Sequence, residues 1–450
     1  MQSSGLFPGR RGPWIARART TLLGLAIALG STRAVAASGL ASIVREVAEG
    51  LKDAPAGTLV ATAPLVSDVA GARSDELASR LAALVAGRLE KGARPAPRAM
   101  TLAQARAQLK DTSSLLFLAP VIEKGRLSVS ADLYAVPKNG WDRIRAPSVA
   151  PKSHTFAQAA IDAELRSYLP AILLEQAAIS KAKLDDSDVL AAACGDVTGD
   201  GGLELALVTK NRVVLGRLER GRFRVDHAVP WAALLPRAPV PLREPIATAA
   251  FIDDRLLVGI SDRGGVALDS ELNVASRLRA LPIHSTGGVE ACTIVAPAQG
   301  GLEGAVACST LAATQAKLAL PTPRFDAIVA AVLIARDGAE SVVLAAREPS
   351  GKARVRFSGA ETEARGIDAG AELALFDFDL DGAPELAVSA DAQGAEDGIT
   401  LYTLTRGAEP RLRRRIPTPT PVRALAACPP EANAAPGLVA VVGAELWLVR

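Results

Sequence analysis

A nine-residue acidic loop that occurs twice is the feature that most constrains this 450-residue chain. The second copy places Asp377, Asp379, Asp381 and Glu385 at positions 1, 3, 5 and 9, with Gly382 at position 6 and an apolar run directly after it. Alternating oxygen ligands and a glycine that lets the chain reverse are typical of a calcium loop, since Ca²⁺ takes about six to eight oxygens. The sequence therefore predicts a cation site formed by these four carboxylates.

The first copy follows the same register with one different ligand. Asp196, Thr198, Asp200 and Glu204 stand at positions 1, 3, 5 and 9, again before an apolar run, Leu205–Val208. Because a hydroxyl is a weaker calcium ligand than a carboxylate, we expect this loop to bind more weakly. The alternative for both loops is an ordinary hairpin turn, for which Asp-Gly and Gly-Asp are also suited.

Both loops, with the strands around them, resemble the FG-GAP or VCBS repeats of integrin-like β-propellers. In those repeats, loops of this pattern hold Ca²⁺ between the first two strands of a blade. The resemblance implies that calcium has a structural role here, in which it ties blade loops, and that the strands around the loops form a propeller.

Short strands separated by Gly, Pro and Asp recur from about residue 184 onward. Six segments align, with starts separated by roughly 40–55 residues, the size of one four-stranded blade. The segments are Leu190–Leu215, Ile246–Leu268, Val289–Gln315, Ile328–Phe357, Ala371–Leu404 and Val422–Val449. The fourth keeps Asp337-Gly338 at the turn but has no carboxylates at the ligand positions. A propeller of about six blades follows, and a β-sandwich is the alternative.

The first 36 residues have the pattern of a secretory signal peptide. Four arginines between positions 10 and 19 precede the apolar run Leu22–Leu29, and Ala34-Val35-Ala36 supplies a cleavage site. An uncleaved anchor is the alternative, although no later segment is predicted to cross a membrane. We expect a Sec-type signal and a bacterial protein that is periplasmic or secreted.

Residues 37–180 predict a small α/β domain. Strand candidates at 58–65, 114–121 and 126–134 alternate with helices predicted at 74–89, around 101–109 and from Thr155 to roughly Leu174. Ser74 and Thr101 are the expected N-caps. The order of elements resembles the N-terminal domains of periplasmic assembly proteins such as TolB and the curli secretion protein, and the arrangement of such a domain before a propeller resembles TolB.

Four cysteines in an exported chain permit two disulfides. Cys194 and Cys428 stand at equivalent first-strand positions of the first and last segments, which become neighbours if the ring closes. Cys292 and Cys308 lie in one segment, where a hairpin would bring them together. Four buried thiols that act as small hydrophobic side chains are the alternative.

Little in the sequence indicates catalysis or nucleic-acid binding. The formal net charge is +3, spread along the chain, and the three histidines have no metal or triad spacing. We therefore predict a multidomain α+β protein, with residues 37–180 as the α/β domain and 184–450 as the propeller. Its predicted function is that of a cell-envelope binding or scaffold protein, not an enzyme, that holds a protein or glycan partner. A propeller enzyme that acts on polysaccharide or another envelope substrate is the alternative.

Overall fold

The structure is a computed structural model of the chain, in which residues 35–450 form one compact unit. It describes residues 39–67, 73–89, 92–109, 114–123, 125–135, 150–169, 172–200, 202–236, 245–252, 254–278, 280–286, 290–294, 302–303, 306–310, 316–318, 322, 324–334, 340–358, 366–390, 397–430 and 435–450. The predicted signal peptide, Gly201 and the Asp337-Gly338 turn lie outside these ranges. Within them, no helix is long and apolar enough to span a bilayer.

The N-terminal part of the compact unit is a mixed sheet with helices. The α-helices within the described ranges are α1 (Gly39–Gly50), α2 (Ser74–Leu89), α3 (Leu102–Ala107), α4 (Ala163–Arg166) and α5 (Trp231–Leu234). The strands of this sheet are β1 (Leu59–Thr62), β2 (Val66–Ser67), β3 (Arg94–Pro95), β4 (Ser114–Glu123), β5 (Arg126–Ala135) and β6 (Ser153–Ala160). Their order is β3-β1-β4-β5-β6, with β2 paired to β4, and α1 and α2 pack their apolar faces on the sheet.

Local signals placed several of these elements correctly. Helix α2 has the predicted bounds, and Leu77 and Leu81 are fully buried, as a 3.6-residue period requires. Thr101 caps α3 through a capping box with Gln104. Strands β4 and β5 form the predicted hairpin, in which Gly125 adopts a φ of 68° at the turn.

The helix predicted from Thr155 to roughly Leu174 is wrong. Residues 153–160 form β6, which pairs antiparallel with β5 along its whole length, and the described part of the predicted span then contains the short α4 and the start of the helical turn Leu174–Gln176. The apolar residues at 156, 157, 159 and 160 follow neither a strict two-residue period nor a clear 3.6-residue period, and the open edge of β5 supplies the backbone partners that favour a strand.

The remaining described strands form six sheets, three of them four-stranded, in which most pairs are antiparallel. One sheet has eight strands, namely β7 (Ile179–Lys183), β8 (Val189–Gly195), β9 (Glu204–Thr209), β10 (Arg212–Glu219), β11 (Arg222–Pro230), β31 (Val422–Cys428), β32 (Gly437–Val442) and β33 (Glu445–Val449). Their order is β31-β32-β33-β7-β11-β10-β9-β8. The two halves of this sheet are joined through β7, which pairs along its length with β33 but at a single position with β11.

The sheets between these halves follow the chain in order. Their strands are β12 (Ala247–Ile252), β13 (Arg255–Ile260), β14 (Gly264–Leu268), β15 (Val274–Leu278), β16 (Leu281–Pro282), β17 (His284–Thr286), β18 (Glu290–Ile294), β19 (Leu302–Glu303), β20 (Val306–Thr310), β21 (Ala316–Leu318), β22 (Arg324–Phe325), β23 (Ala327–Ile334), β24 (Glu340–Arg347), β25 (Lys352–Phe357), β26 (Ile367–Asp368), β27 (Leu373–Phe376), β28 (Glu385–Ser389), β29 (Gly398–Thr403) and β30 (Arg411–Pro417). The sheets are β12 to β15, β16-β18-β20-β21, β17-β23-β24-β25-β26, the pair β19-β22, and β27 to β30. The third predicted segment therefore begins before Val289, at β16.

Six strands contact one another in turn. Strand β8 lies beside β12, β12 contacts β17, β17 pairs in parallel with β23, and β27 contacts both β23 and β31. Strand β31 in turn packs against β8, so the series returns to its start. These strands are rich in small and β-branched side chains, which allows their close approach.

A disulfide joins the first and last members of this series. Cys194 on β8 and Cys428 on β31 are bonded, with their Cα atoms 4.9 Å apart. The prediction that these two cysteines become neighbours is confirmed, and the alternative of free thiols is wrong for this pair. Cys292 and Cys308 are register partners in the β18–β20 hairpin, as expected from their spacing.

Candidate cation site

The two acidic loops occupy equivalent places in their sheets. Residues 377–385 connect β27 to β28, and residues 196–204 connect β8 to β9, so each loop joins a first strand to a second. Each loop begins at the end of its first strand, and its last residue, Glu385 or Glu204, opens the second strand. The hairpin therefore brings positions 1 and 9 of each loop together.

The backbone follows the same course in both loops. Position 4 is left-handed in each, with a φ of 55° at Leu380 and 72° at Gly199. The amide of Phe378 donates to Glu385 Oε2 at 2.9 Å, and the matching amide of Val197 donates to Glu204 Oε2 at 2.8 Å. Leucine rarely adopts this conformation, so its presence indicates that the surrounding contacts hold the loop in place.

Three of the four predicted ligands of the second loop converge in a buried cluster. Carboxylate oxygens of Asp377, Asp379 and Glu385 lie within 4.8 Å of one another, and the three residues are 8%, 6% and 0% exposed. Asp381 is exposed at the rim, where its Oδ1 accepts the amide of Ala383 at 2.8 Å. The structure therefore brings together the side chains at positions 1, 3 and 9 of the loop and leaves the side chain at position 5 at the exposed rim of the cluster.

Burial of these carboxyls strongly disfavours their charged forms. Loss of solvent raises the pKa of Glu385 to about 9, and the neighbouring charge of Asp379 adds to this effect. Burial likewise raises the pKa of Asp377 to about 7, and the pKa of Asp379 is also raised, chiefly by burial. Several anions at such close range need either protons or a cation between them. The donor set therefore fits a hard divalent cation.

Hydrogen bonds within the loop orient the carboxylate ligands and leave lone pairs on their oxygens for a metal ion. Asp377 accepts the amides of Asp381 at 3.0 Å and Gly382 at 2.9 Å, and Thr403 Oγ1 donates to Glu385 Oε1 at 3.0 Å. A carboxylate oxygen has two lone pairs, so each can accept one such bond and still coordinate a metal. Gly382 has a φ of 92°, which explains the glycine at position 6.

Arg413 on β30 is part of this cluster, and sequence reasoning missed it. Its Nη1 lies 3.2 Å from Asp379 Oδ2, 3.0 Å from Thr403 Oγ1 and 3.9 Å from Glu385 Oε1. The pKa of Arg413 is raised, chiefly by its hydrogen bond to Glu175. The sequence showed a run of arginines at 411–415, but only the strand pairing shows which of them faces the loop.

The first loop has a different charge balance. Asp196, Asp200 and Glu204 also place carboxylate oxygens within 4.8 Å of one another, but only Glu204 is buried. Thr198 Oγ1 donates to Glu204 Oε1 at 3.0 Å. The pKa of Asp200 is lowered, chiefly by the hydrogen bond from the amide of Gly202 and next by the hydrogen bond from Arg217.

Arg217 on β10 lies among the ligands of the first loop. Its Nη2 is 3.0 Å from Thr198 Oγ1 and 2.9 Å from Asp200 Oδ2, and it forms an ion pair with Glu204. The antiparallel register that pairs Gly216 with Leu205 places Arg217 across from Glu204, where the second loop has Thr403 across from Glu385. A guanidinium thus already neutralises part of this loop.

A second feature is a cavity of about 400 Å³ where first strands begin. Five strands line it, β8, β12, β23, β27 and β31, and most of the lining is aliphatic. Asp326, Glu372 and Arg423 add charge. Burial raises the pKa of Glu372 to about 8, with a further contribution from the charge of Asp397. No sequence motif marks these residues, because they meet only through the ring of strands.

No protein-family model matches this sequence, and no curated protein is similar to it. Solved structures with similar arrangements include TolB from Acinetobacter baumannii, at 10% identity over 88% of this chain and 95% of that one, with a TM-score of 0.30. The soluble aldose sugar dehydrogenase from Escherichia coli matches at 10% identity over 61% and 99%, with a TM-score of 0.39. AofleA from Arthrobotrys oligospora matches at 10% identity over 59% and 83%, with a TM-score of 0.35. At these values the architecture is defined by the strand pairing described above.

Proposed function

We propose that the chain is an exported binding protein whose β-propeller of about six blades is stabilised by Ca²⁺ in the loop 377–385. The buried cluster of Asp377, Asp379 and Glu385 carries this proposal. Carboxylates that have lost their solvent are stabilised by a hard cation far more than exposed ones are, because the interaction is stronger where water is excluded. Calcium would act as a structural ion that ties the β27–β28 hairpin.

The proposed architecture has a signal peptide at 1–36, an α/β domain to about residue 180 and the propeller beyond it. The successive contacts from β8 through β12, β17, β23 and β27 to β31, and from β31 back to β8, support the proposal that the sheets form a ring. The pairing of the last strand, β33, with β7 at the start of the proposed propeller supports it as well. The disulfide supports export, because such bonds persist in oxidising compartments. The FG-GAP or VCBS resemblance of the loops supports the same reading.

We further propose that the propeller and the α/β domain bind a protein or glycan of the cell envelope, without catalysis. The proposed role of the loop 196–204 is secondary. Only one of its three clustered carboxylates is buried and Thr198 stands at position 3, so calcium is proposed to bind this loop more weakly than the loop 377–385.

Thermal unfolding with Ca²⁺ and with chelator tests the metal site. For the protein purified after export, we expect saturating Ca²⁺ to raise the unfolding midpoint by several degrees, since a ligand at about 100 times its Kd stabilises by about 2.7 kcal/mol. Asp379→Ala should remove most of the shift. Asp53→Ala, which changes an exposed aspartate outside both loops, should retain it.

A midpoint unaffected by Ca²⁺ in the wild type would reduce the loop 377–385 to a plain turn. The propeller assignment would then depend on strand spacing alone. If the Ca²⁺-induced shift of the unfolding midpoint persists in Asp379→Ala but disappears in Asp200→Ala, the calcium site lies in the first loop, 196–204.

A further inference from the structure

Arg413 places a positive charge where it would oppose a cation in the loop 377–385. Its side chain is 8% exposed, and its Nη1 contacts Asp379 at 3.2 Å and approaches Glu385 at 3.9 Å. A cation at the loop would use the same carboxylates. Two positive charges close to the same oxygens repel each other, and in a site that excludes water this repulsion is little screened.

The other edge of the same guanidinium holds a different part of the chain. Arg413 Nε donates to Glu175 Oε1 at 2.6 Å, and Nη2 donates to Glu175 Oε2 at 3.4 Å. Glu175 belongs to the helical turn Leu174–Gln176, which precedes β7. The neighbouring Arg414 donates to the carbonyls of Leu174 at 3.0 Å and Ala177 at 2.7 Å. Two adjacent arginines of β30 thus dock the segment 174–177.

We propose that the guanidinium of Arg413 competes with the cation for the carboxylates of the loop 377–385. Through this competition, Arg413 couples the occupancy of the loop to the docking of the segment 174–177. This inference rests on the cation site proposed above. When a cation binds Asp379, the guanidinium loses that partner and is repelled, whereas Glu175 remains as its acceptor. Glu175 is 46% exposed on its side chain and can follow the arginine as it moves.

Coupling of this kind predicts two substitutions with opposite effects. Arg413→Gln removes the competing charge and should tighten Ca²⁺ binding by about tenfold, within the usual range of coupling between sites. Glu175→Gln leaves Arg413 with Asp379 as its charged partner, so Ca²⁺ binding should weaken several-fold. Glu175 is not a member of the carboxylate cluster, so this change removes no ligand, and the double variant separates its effect through the arginine from any direct effect of the lost charge.

Isothermal titration of the full protein with CaCl₂ measures these effects. The set comprises the wild type, Arg413→Gln, Glu175→Gln and the double variant. In the double variant, Glu175→Gln should have no further effect, because the arginine that transmits it is absent. Arg415→Gln, on the same strand but exposed, and Glu49→Gln, an exposed glutamate on α1, should bind Ca²⁺ as the wild type does.

Each outcome decides at least one of the two proposals. If the wild type binds Ca²⁺ and Arg413→Gln binds it equally or more weakly, the competitor role is overturned and the cation site stands. Binding by Arg413→Gln but not by the wild type would support strong competition. If neither protein gives heat with Ca²⁺, both proposals fail. Should Arg413→Gln not fold, unchanged affinity in Glu175→Gln alone would overturn the coupling.

Discussion

Replacing Cys194 and Cys428 together by alanine is expected to lower the free energy of unfolding by about 3–5 kcal/mol. The bond links positions 234 residues apart and joins the first strands of the two ends of the ring. Its loss restores a large loop-closure entropy to the unfolded chain, which grows with the logarithm of loop length. The two side chains are 5% and 1% exposed, so their replacement also removes a small amount of buried contact.

Denaturant titration of the double variant and of the reduced wild type measures this effect. With Cys292 and Cys308 also replaced by alanine in both proteins, reduction of the chain that retains the Cys194–Cys428 bond should reproduce most of the loss, and a reductant should not destabilise the chain that lacks it. An unchanged midpoint after reduction would mean that the pairing of β33 with β7 alone closes the ring. That outcome would also remove the disulfide as an argument for export.

In chelator, the free energy of unfolding is expected to fall as the pH rises from about 4.5 to about 9. In the native state Asp377, Glu372 and Glu385 keep their protons up to pKa values of about 7, 8 and 9, whereas the unfolded values are 3.8, 4.5 and 4.5. Between these values the folded state binds more protons than the unfolded state. The contribution of these carboxyls to the free energy of unfolding is therefore fully present below the unfolded pKa and is lost as the pH rises through the folded pKa. We expect a loss of several kcal/mol, since one pKa unit corresponds to about 1.4 kcal/mol.

Calcium should suppress most of this decline. A bound cation favours the ionised forms of Asp377 and Glu385, so proton release no longer opposes folding. The part that remains in Ca²⁺ should come from Glu372 in the cavity of about 400 Å³, and Glu372→Gln should remove it. This part should be smaller, because it comes from one carboxyl, whereas Asp377 and Glu385 contribute two. Glu49→Gln serves as the control, and stability that rises with pH in chelator would contradict the prediction.

The positions of the acidic loops could be predicted because their signal is local. A carboxylate at alternate positions, a glycine at position 6 and an apolar strand directly after the loop depend only on neighbours in the sequence. The structure places both loops between first and second strands, as the pattern predicts. The same is true of α2 and of the capping box at Thr101, where periodicity and a single side chain decide the element.

The elements that were mispredicted depend on partners far away in the chain. Strand β6 was predicted as a helix because its pattern does not show that β5 has an open edge beside it. Strand β7 was not predicted at all. Its burial pattern is weak, and it exists as a strand because β33, more than 250 residues later, offers a complete set of backbone partners.

The sequence alone thus determined where the ligand-bearing loops lie, the repeating strand pattern and which cysteines would meet if a ring closed. Only the tertiary structure decided how deeply each carboxylate is buried and which arginine faces each loop. Arg217 reaches the first loop from the third strand of its sheet, and Arg413 reaches the second from the fourth. The physical reason is that ligand spacing is a property of the local backbone, whereas burial and charge balance are set by side chains that pairing between distant strands brings together.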